Sequence, residues 1–333
     1  MSELVARLRP SERRVGTGIS IPTIAVLLAI AVFLIAGSLV SDIFAQQTVA
    51  GLAQGAIFAS LALSLVLIYR ATEVINFAQG EMAMATTYIA YQLTLWGLSY
   101  WAAFALTLVF AFFFGVVVQL VFIRPVQHKS IIAVVIVTVG LFILIDGVVT
   151  WIWGADLKFM PAPFGNTVYH AGGVAFSRQD IGVLVVTILS VFLLWLLFQF
   201  TKLGLAMRAA ALRPAAAALV GVRVDWMLAI GWGLAAVLGA VSGLMTEPSQ
   251  FLQPTMMQAI LLYAFAAAVL GGLESPAGSV IGGLLLGVFL NLLGQYVHFA
   301  TSELRLPIAF AVLLAVLLVK PTGLMGRRQV RRV

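Results

Sequence analysis

The feature that most restricts this chain is a series of apolar runs, each about as long as a bilayer is thick, separated by short charged segments. A helix needs about 20 apolar residues to cross the hydrocarbon, because each residue adds ~1.5 Å of rise. Ten runs meet or approach that length: Ile21–Val40, Val49–Ile68, Val74–Trp96, Trp101–Ile123, Ile131–Trp153, Ile181–Phe200, Trp226–Thr246, Met257–Leu273, Ala277–Val297 and Leu304–Val319. The third begins with Asn76, Gln79 and Glu81, so its first turn is expected to be interfacial or re-entrant. Only Glu274-Ser275-Pro276 separates the eighth from the ninth, and the tenth is short, with Pro307 near its start. A soluble fold cannot wet so much apolar surface. Of the 333 residues, 62% are hydrophobic and 9% charged, against about 45–50% and about 25% in soluble domains. The chain therefore predicts an all-α, polytopic transmembrane helical bundle of about ten spans, covered by membrane lipid and lacking a soluble domain.

The basic residues predict its orientation. With the N-terminus in the cytoplasm, all of the 19 Lys and Arg residues except Lys158, Arg178 and Arg305 fall on the cytoplasmic side, as the positive-inside bias requires. Both termini are then cytoplasmic. Residues 1–20 form a cytoplasmic segment, 21–319 the membrane domain and 320–333 a basic cytoplasmic tail. Within the membrane domain, 154–180 is an extracytoplasmic loop with Pro161, Pro163, Gly165, Asn166, Gly172 and Gly173, and 201–225 a cytoplasmic segment. The basic stretch from Arg7 to Arg14 resembles the start of a signal peptide, but the apolar run that follows exceeds the ~7–15 residues of such a peptide. A retained helix is expected. The net charge of +7 arises from these loop cations and implies no nucleic-acid partner. No internal repeat is visible.

Glycines recur four residues apart at Gly51/Gly55, Gly239/Gly243, Gly278/Gly282 and Gly283/Gly287. Helices in lipid gain contact by close backbone approach, so these predict tight packing; a sliding contact during gating is the other reading.

Catalytic chemistry finds little support. The chain has no cysteine, which excludes disulfides, Cys-ligated metals and thiol nucleophiles. His128, His170 and His298 all fall in loops or at a span end. There is no G-x-x-x-x-G-K-[ST] phosphate loop, so ATP hydrolysis through such a loop must belong to another polypeptide. No nucleophile–base pair or metal box can be assembled, and no cofactor or metal site is expected. The remaining polar residues at membrane depth are few. Asp146, inside the fifth run, should face the bundle interior or a cavity, as a pathway or proton-handling group or as a structural hydrogen-bond partner. Asn76 and Gln79, at the start of the third run, are path candidates, and Glu81 is either a pathway group or a solvated carboxylate at the interface. Asn291 and Gln295, one turn apart, either line a path or bond between helices. Glu247 and Glu274 read as charges at span ends.

The segment after Phe200 is the most informative. Gly204 to Leu212 has strong helix formers after its first residue, Pro214 suits the first turn of a new helix, and Gly221 suits the left-handed residue that closes it. This predicts a short helix–break–helix whose small side chains, Ala209, Ala210 and Ala211, permit close docking on a partner, with Arg208, Arg213 and Arg223 offering ion pairs. A surface helix merely joining two spans is the alternative.

Several stretches together resemble the integral permease subunits of branched-chain amino-acid ABC importers, of the leucine/isoleucine/valine type. They are Gly51-Leu52-Ala53-Gln54-Gly55-Ala56-Ile57, Val74-Ile75-Asn76-Phe77-Ala78-Gln79-Gly80-Glu81, Arg124-Pro125, Thr138-Val139-Gly140-Leu141 and Arg208-Ala209-Ala210-Ala211 with Val220-Gly221-Val222. Leu270-Gly271-Gly272-Leu273 and Lys320-Pro321-Thr322-Gly323-Leu324-Met325-Gly326 complete the set. The resemblance implies a second homologous permease subunit, two cytoplasmic ATPase subunits, an extracytoplasmic substrate-binding protein and residence in the bacterial inner membrane. It also implies that the helix from Ala210 to Gly221 couples to an ATPase. The family usually has His where this chain has Gln79, and a small residue where it has Glu274. Relatives of this type also carry urea or short amides. An ion-coupled secondary transporter using Asp146 and Glu81, a lipid-acting membrane enzyme and a channel are the rival readings.

Overall fold

The computed structural model describes residues 21–127, 129–165, 167–171, 174–297 and 303–326. The expectations for Arg7 to Arg14, His128, Asn166, Gly172, Gly173, His298 and the end of the basic tail lie outside the described residues. Twelve α-helices occur among those described: α1 Ile21–Val40, α2 Asp42–Thr72, α3 Gln79–Leu95, α4 Tyr100–Val118, α5 Ile131–Trp153, α6 Arg178–Phe200, α7 Lys202–Leu212, α8 Pro214–Leu219, α9 Val224–Gln250, α10 Gln258–Gly271, α11 Pro276–Tyr296 and α12 Arg305–Val319. A π-helical turn, Gln119–Ile123, extends α4. The loop before α6 holds an antiparallel hairpin, β1 Val168–Ala171 with β2 Val174–Ser177, pairing Val168 with Ser177. The sequence predicts loop and turn there, without a strand pair.

Local chemistry explains several helix starts. Ser41, Ser130, Ser177, Thr201 and Ser275 each place a side-chain oxygen where it accepts a first-turn backbone N–H, filling donors that the helix itself cannot pair.

Each of the ten apolar runs lies on a helix. Six helices are long and apolar enough to cross a membrane, namely α2, α4 with its π-turn, α5, α6, α9 and α11; α10, α12 and the stretch Val26–Val40 of α1 are shorter apolar helices. The chain is a multi-pass helical membrane protein. The second run proves longer than expected, since α2 has 31 residues. The third proves shorter, because α3 starts only at Gln79 and has 17.

α2 and α9 form the buried centre, with 83% and 67% of their apolar windows enclosed. They cross antiparallel. Ser60 donates its hydroxyl to the Leu238 carbonyl at 3.0 Å and Ser242 donates to the Ile57 carbonyl at 3.2 Å. Glycines make the closest approaches. A Cβ on Gly51 would stand 2.6 Å from Val288 Cα, and one on Gly287 would meet the backbone of Gly55. Gly243 lies against Ala83 and Thr87, and Gly282 against the Ala267 carbonyl. The expected tight packing at the paired glycines is what the bundle shows.

The contacts also disclose an internal repeat that the sequence hid. α2 packs on α11 and α10, whereas α9 packs on α4 and α3; α3 packs on α5 as α10 packs on α12. Each half is a long helix, a break, a short helix and two further helices, and the two long helices run in opposite directions. Residues 73–79 and 251–257, the two breaks, share one order of exposed, intermediate and buried positions. Their residues differ, Glu-Val-Ile-Asn-Phe-Ala-Gln against Phe-Leu-Gln-Pro-Thr-Met-Met, so the relation survives in burial and not in identity.

Candidate translocation site and coupling segment

The two breaks bring the starts of α3 and α10 together inside the bundle. A Cβ on Gly80 would touch Leu261 and stand 3.3 Å from the Met257 carbonyl. Glycine at position 80 thus lets the two helix ends meet. The break before α3 is closed by its own amides. Asn76 donates to Gln79 Oε1 at 3.0 Å and accepts the Ala78 N–H at 3.0 Å, while Gln79 donates to the Ala235 carbonyl at 3.0 Å. Asn76 and Gln79 are both buried. Their amides bind the break to α9.

Glu81 follows in the first turn of α3 and is 0% exposed. The reading of it as a solvated interfacial carboxylate therefore fails, because the break lowers it into the bundle. One of its oxygens faces the Gln258 side-chain amide at 3.5 Å; the other has no partner. Asp146 sits on α5, which packs on α3, and has one buried oxygen without a partner, consistent with the expectation that it turns inward.

The remaining polar residues are placed differently. Asn291 donates to Gln54 Oε1 at 2.6 Å and to the Gly287 carbonyl at 3.0 Å, and Gln47 donates to Gln295 Oε1 at 3.3 Å. The bonds to Gln54 and Gln47 join α11 to α2, the interhelical reading of that pair. Glu247 is not a boundary charge. It is 1% exposed and accepts the Met160 N–H at 2.8 Å, holding the loop before β1 against the end of α9. Lys158 and Leu252 exchange backbone bonds of 2.9 and 3.0 Å beside it. Nothing in the sequence flagged this tie, since a Glu at a span end normally stays wet.

At the opposite end, α7 and α8 form the anticipated helix–break–helix. Arg213 sits at the break, Pro214 opens α8, and Gly221 takes φ +85°. The division of faces corrects the sequence reading. Met207 and Ala210 are buried against the bundle, so Ala210 serves the chain's own packing, while Ala209 and Ala211 are half-buried. Exposed apolar residues that sequence reasoning missed are Leu212 at 71%, Leu219 at 89% and Val220 at 80%. Beside α8 an open cleft of about 510 Å³ is lined by Leu120, Arg124, Ala218, Arg223, Val224, Asp225 and Trp226. Arg124 and Asp225 are bridged across it at 2.7 Å. Arg208 donates from Nε to the Gly204 carbonyl at 3.4 Å, within its own helix.

Broken helices meeting inside a polytopic bundle recur in membrane transporters, and a match to a permease family makes this chain a transport component rather than a catalytic subunit. The family described as branched-chain amino acid transport system / permease component matches residues 47–317, and the chain belongs to that family. It is 30% identical over 306 residues to the high-affinity branched-chain amino acid transport system permease protein LivH of Escherichia coli strain K12, covering 87% of this chain and 98% of that one. It is 32% identical over 304 residues to the corresponding protein BraD of Pseudomonas aeruginosa, with the same coverage. A probable branched-chain amino acid transport permease protein LivH of Methanocaldococcus jannaschii is 28% identical over 281 residues, covering 80% and 87%.

Proposed function

We propose that this chain is the permease subunit of an ATP-driven importer in the bacterial inner membrane, carrying branched-chain or related amino acids that an extracytoplasmic binding protein delivers. It works with a second homologous permease subunit and two cytoplasmic ATPase subunits. All ten apolar runs cross the membrane and both termini are cytoplasmic. The observation that carries the reading is the elbow of α7 and α8. Leu212, Leu219 and Val220 stand exposed on an element too short and too charged to lie in hydrocarbon, among Arg208, Arg213 and Arg223. Apolar side chains displayed in that setting fit a groove on a partner protein. ATP-driven closure of the ATPase pair then moves the elbow, and the bundle rocks between outward- and inward-open forms.

Among the six path candidates we assign Asn76, Gln79, Asn291 and Gln295 to holding helices together, since their amides are engaged across helices or within the break. Glu81 and Asp146 are assigned to the path. The family membership weighs against an ion-coupled carrier, an enzyme or a channel.

The chain lacks cysteine, so Arg213→Cys supplies one thiol with no background. In intact cells an impermeant maleimide should leave it unlabelled, and in inside-out vesicles it should react; ATPase subunits should protect it. Labelling from outside would remove the elbow from the ATPase side and overturn the importer reading. Uptake of urea in place of leucine by the reconstituted complex would replace the substrate alone.

A further inference from the structure

Several buried oxygens have nothing to bind, and three of them lie on the packed pair α3 and α5. Glu81 Oε2, Tyr88 Oη and Asp146 Oδ1 are buried atoms with no hydrogen-bond partner. Glu81 and Tyr88 are both fully enclosed side chains of α3, and Asp146 lies on the neighbouring α5. Positions 81 and 88 are two turns apart and share a helix face. Trp153 lies two turns after Asp146 on α5, and its ring contact with Tyr88 shows that the face of α5 carrying Asp146 meets the face of α3 carrying Glu81 and Tyr88. Tyr88 is held from behind, with its ring 5.4 Å from that of Trp153, whose indole donates to Gln92 at 3.0 Å.

Two carboxyls and a phenol in a dry interior would normally bond one another. A buried polar group left unpaired costs about 1–3 kcal/mol, and three on two packed helices mark a place meant for something else. Their common deficit is an acceptor's: each can receive an N–H. A primary ammonium carries three such donors and a positive charge.

We propose that Glu81, Tyr88 and Asp146 form an ammonium subsite inside the bundle, taking the α-ammonium group of the transported amino acid on its way through. The proposal rests on the transport reading above and deepens it. The same acceptors suit a small inorganic cation, so the test separates the two sources.

Two measurements decide it. First, thermal unfolding of the purified full chain is followed in methylammonium chloride and in sodium chloride at equal ionic strength. Methylammonium should raise Tm by a few degrees more than sodium, as a ligand bound only by the folded state does, and Tyr88→Phe and Asp146→Asn should each reduce the difference. Equal shifts in both salts, or none, would overturn the ammonium assignment. Second, uptake is measured in the reconstituted importer. Glu81→Gln and Asp146→Asn should lower amino-acid uptake at least tenfold while binding-protein docking persists. Wild-type uptake from both variants would sink the subsite and leave the transport reading standing; no uptake by the wild-type complex would sink the transport reading itself. Should a variant fail to fold, the wild-type salt comparison still decides.

Discussion

Glu73 and Phe251 stand at matching places in the two halves of the bundle, and among the described residues they are the non-glycine residues with positive φ, at 56° and 58°. Each follows a long central helix and opens the break that leads to a short one. Their ψ values differ, 14° and 158°, so the two breaks begin alike and then take separate routes to the same burial order. Such backbone is uncommon for residues with a Cβ and costs of order 1–3 kcal/mol where it is least tolerated. Packing on both sides of the break imposes it.

Glu73→Gly should therefore stabilise the chain by roughly 0.5–1 kcal/mol, since glycine adopts this conformation without strain and Glu73 is exposed. Glu73→Val should do the reverse. Thermal unfolding in detergent compares them; a loss of stability on introducing glycine would show that the side chain has an unseen role.

Gly287→Val should be severe. Its Cβ would fall on the backbone of Gly55, so α2 and α11 must separate, with the overpacking cost of about 1–3 kcal/mol or more and loss of folded material in size-exclusion profiles. Gly140→Ala is the control, because a Cβ there meets nothing within 4 Å and helix propensity improves by up to about 1 kcal/mol.

Removing the Glu247 carboxylate leaves the buried Met160 N–H unpaired. Glu247→Ala should destabilise by about 1–3 kcal/mol and release the loop at residues 155–160, read as faster amide exchange there. Glu247→Gln keeps an acceptor oxygen and should preserve most of the protection. Equal exchange in both variants would show that the bond does not hold the loop.

Leu219→Glu tests the elbow without touching the core. The side chain is almost wholly exposed, so Tm should stay within a degree or two. ATP-driven uptake should fall at least tenfold, and ATPase subunits should no longer copurify. Undiminished uptake would place the docking contact elsewhere.

Asn291→Ala and Gln54→Ala should each cost on the order of 0.5–2 kcal/mol, and the double variant little more than either alone, because both remove the same bond between α2 and α11. Additive losses in a double-mutant cycle would argue that each residue acts separately.

Much of this was legible beforehand because its physics is local. The apolar runs lie on helices, since run length and composition decide what a helix in lipid can be. Pro214 and Gly221 mark the elbow because their backbone preferences act at single positions. The faces of the elbow were not legible. Ala210 and Leu219 differ in burial only because α7 leans on the bundle and α8 projects from it, and no spacing rule states that. Glu81 was misjudged for a related reason. Its place along the third run suggested the interface, but the break at residues 73–78 delays the helix and starts it inside the bundle.

The sequence alone determined that this chain lives in lipid and that it folds as helices, because transfer free energy is a property of residues. Tertiary structure alone decided which polar groups satisfy one another. Asn76 and Gln79 close on themselves and on α9, whereas Glu81, Tyr88 and Asp146 are left with open valences. It also decided that the chain is built twice over in opposite directions, since that relation resides in which helices touch and in the order of burial along the two breaks.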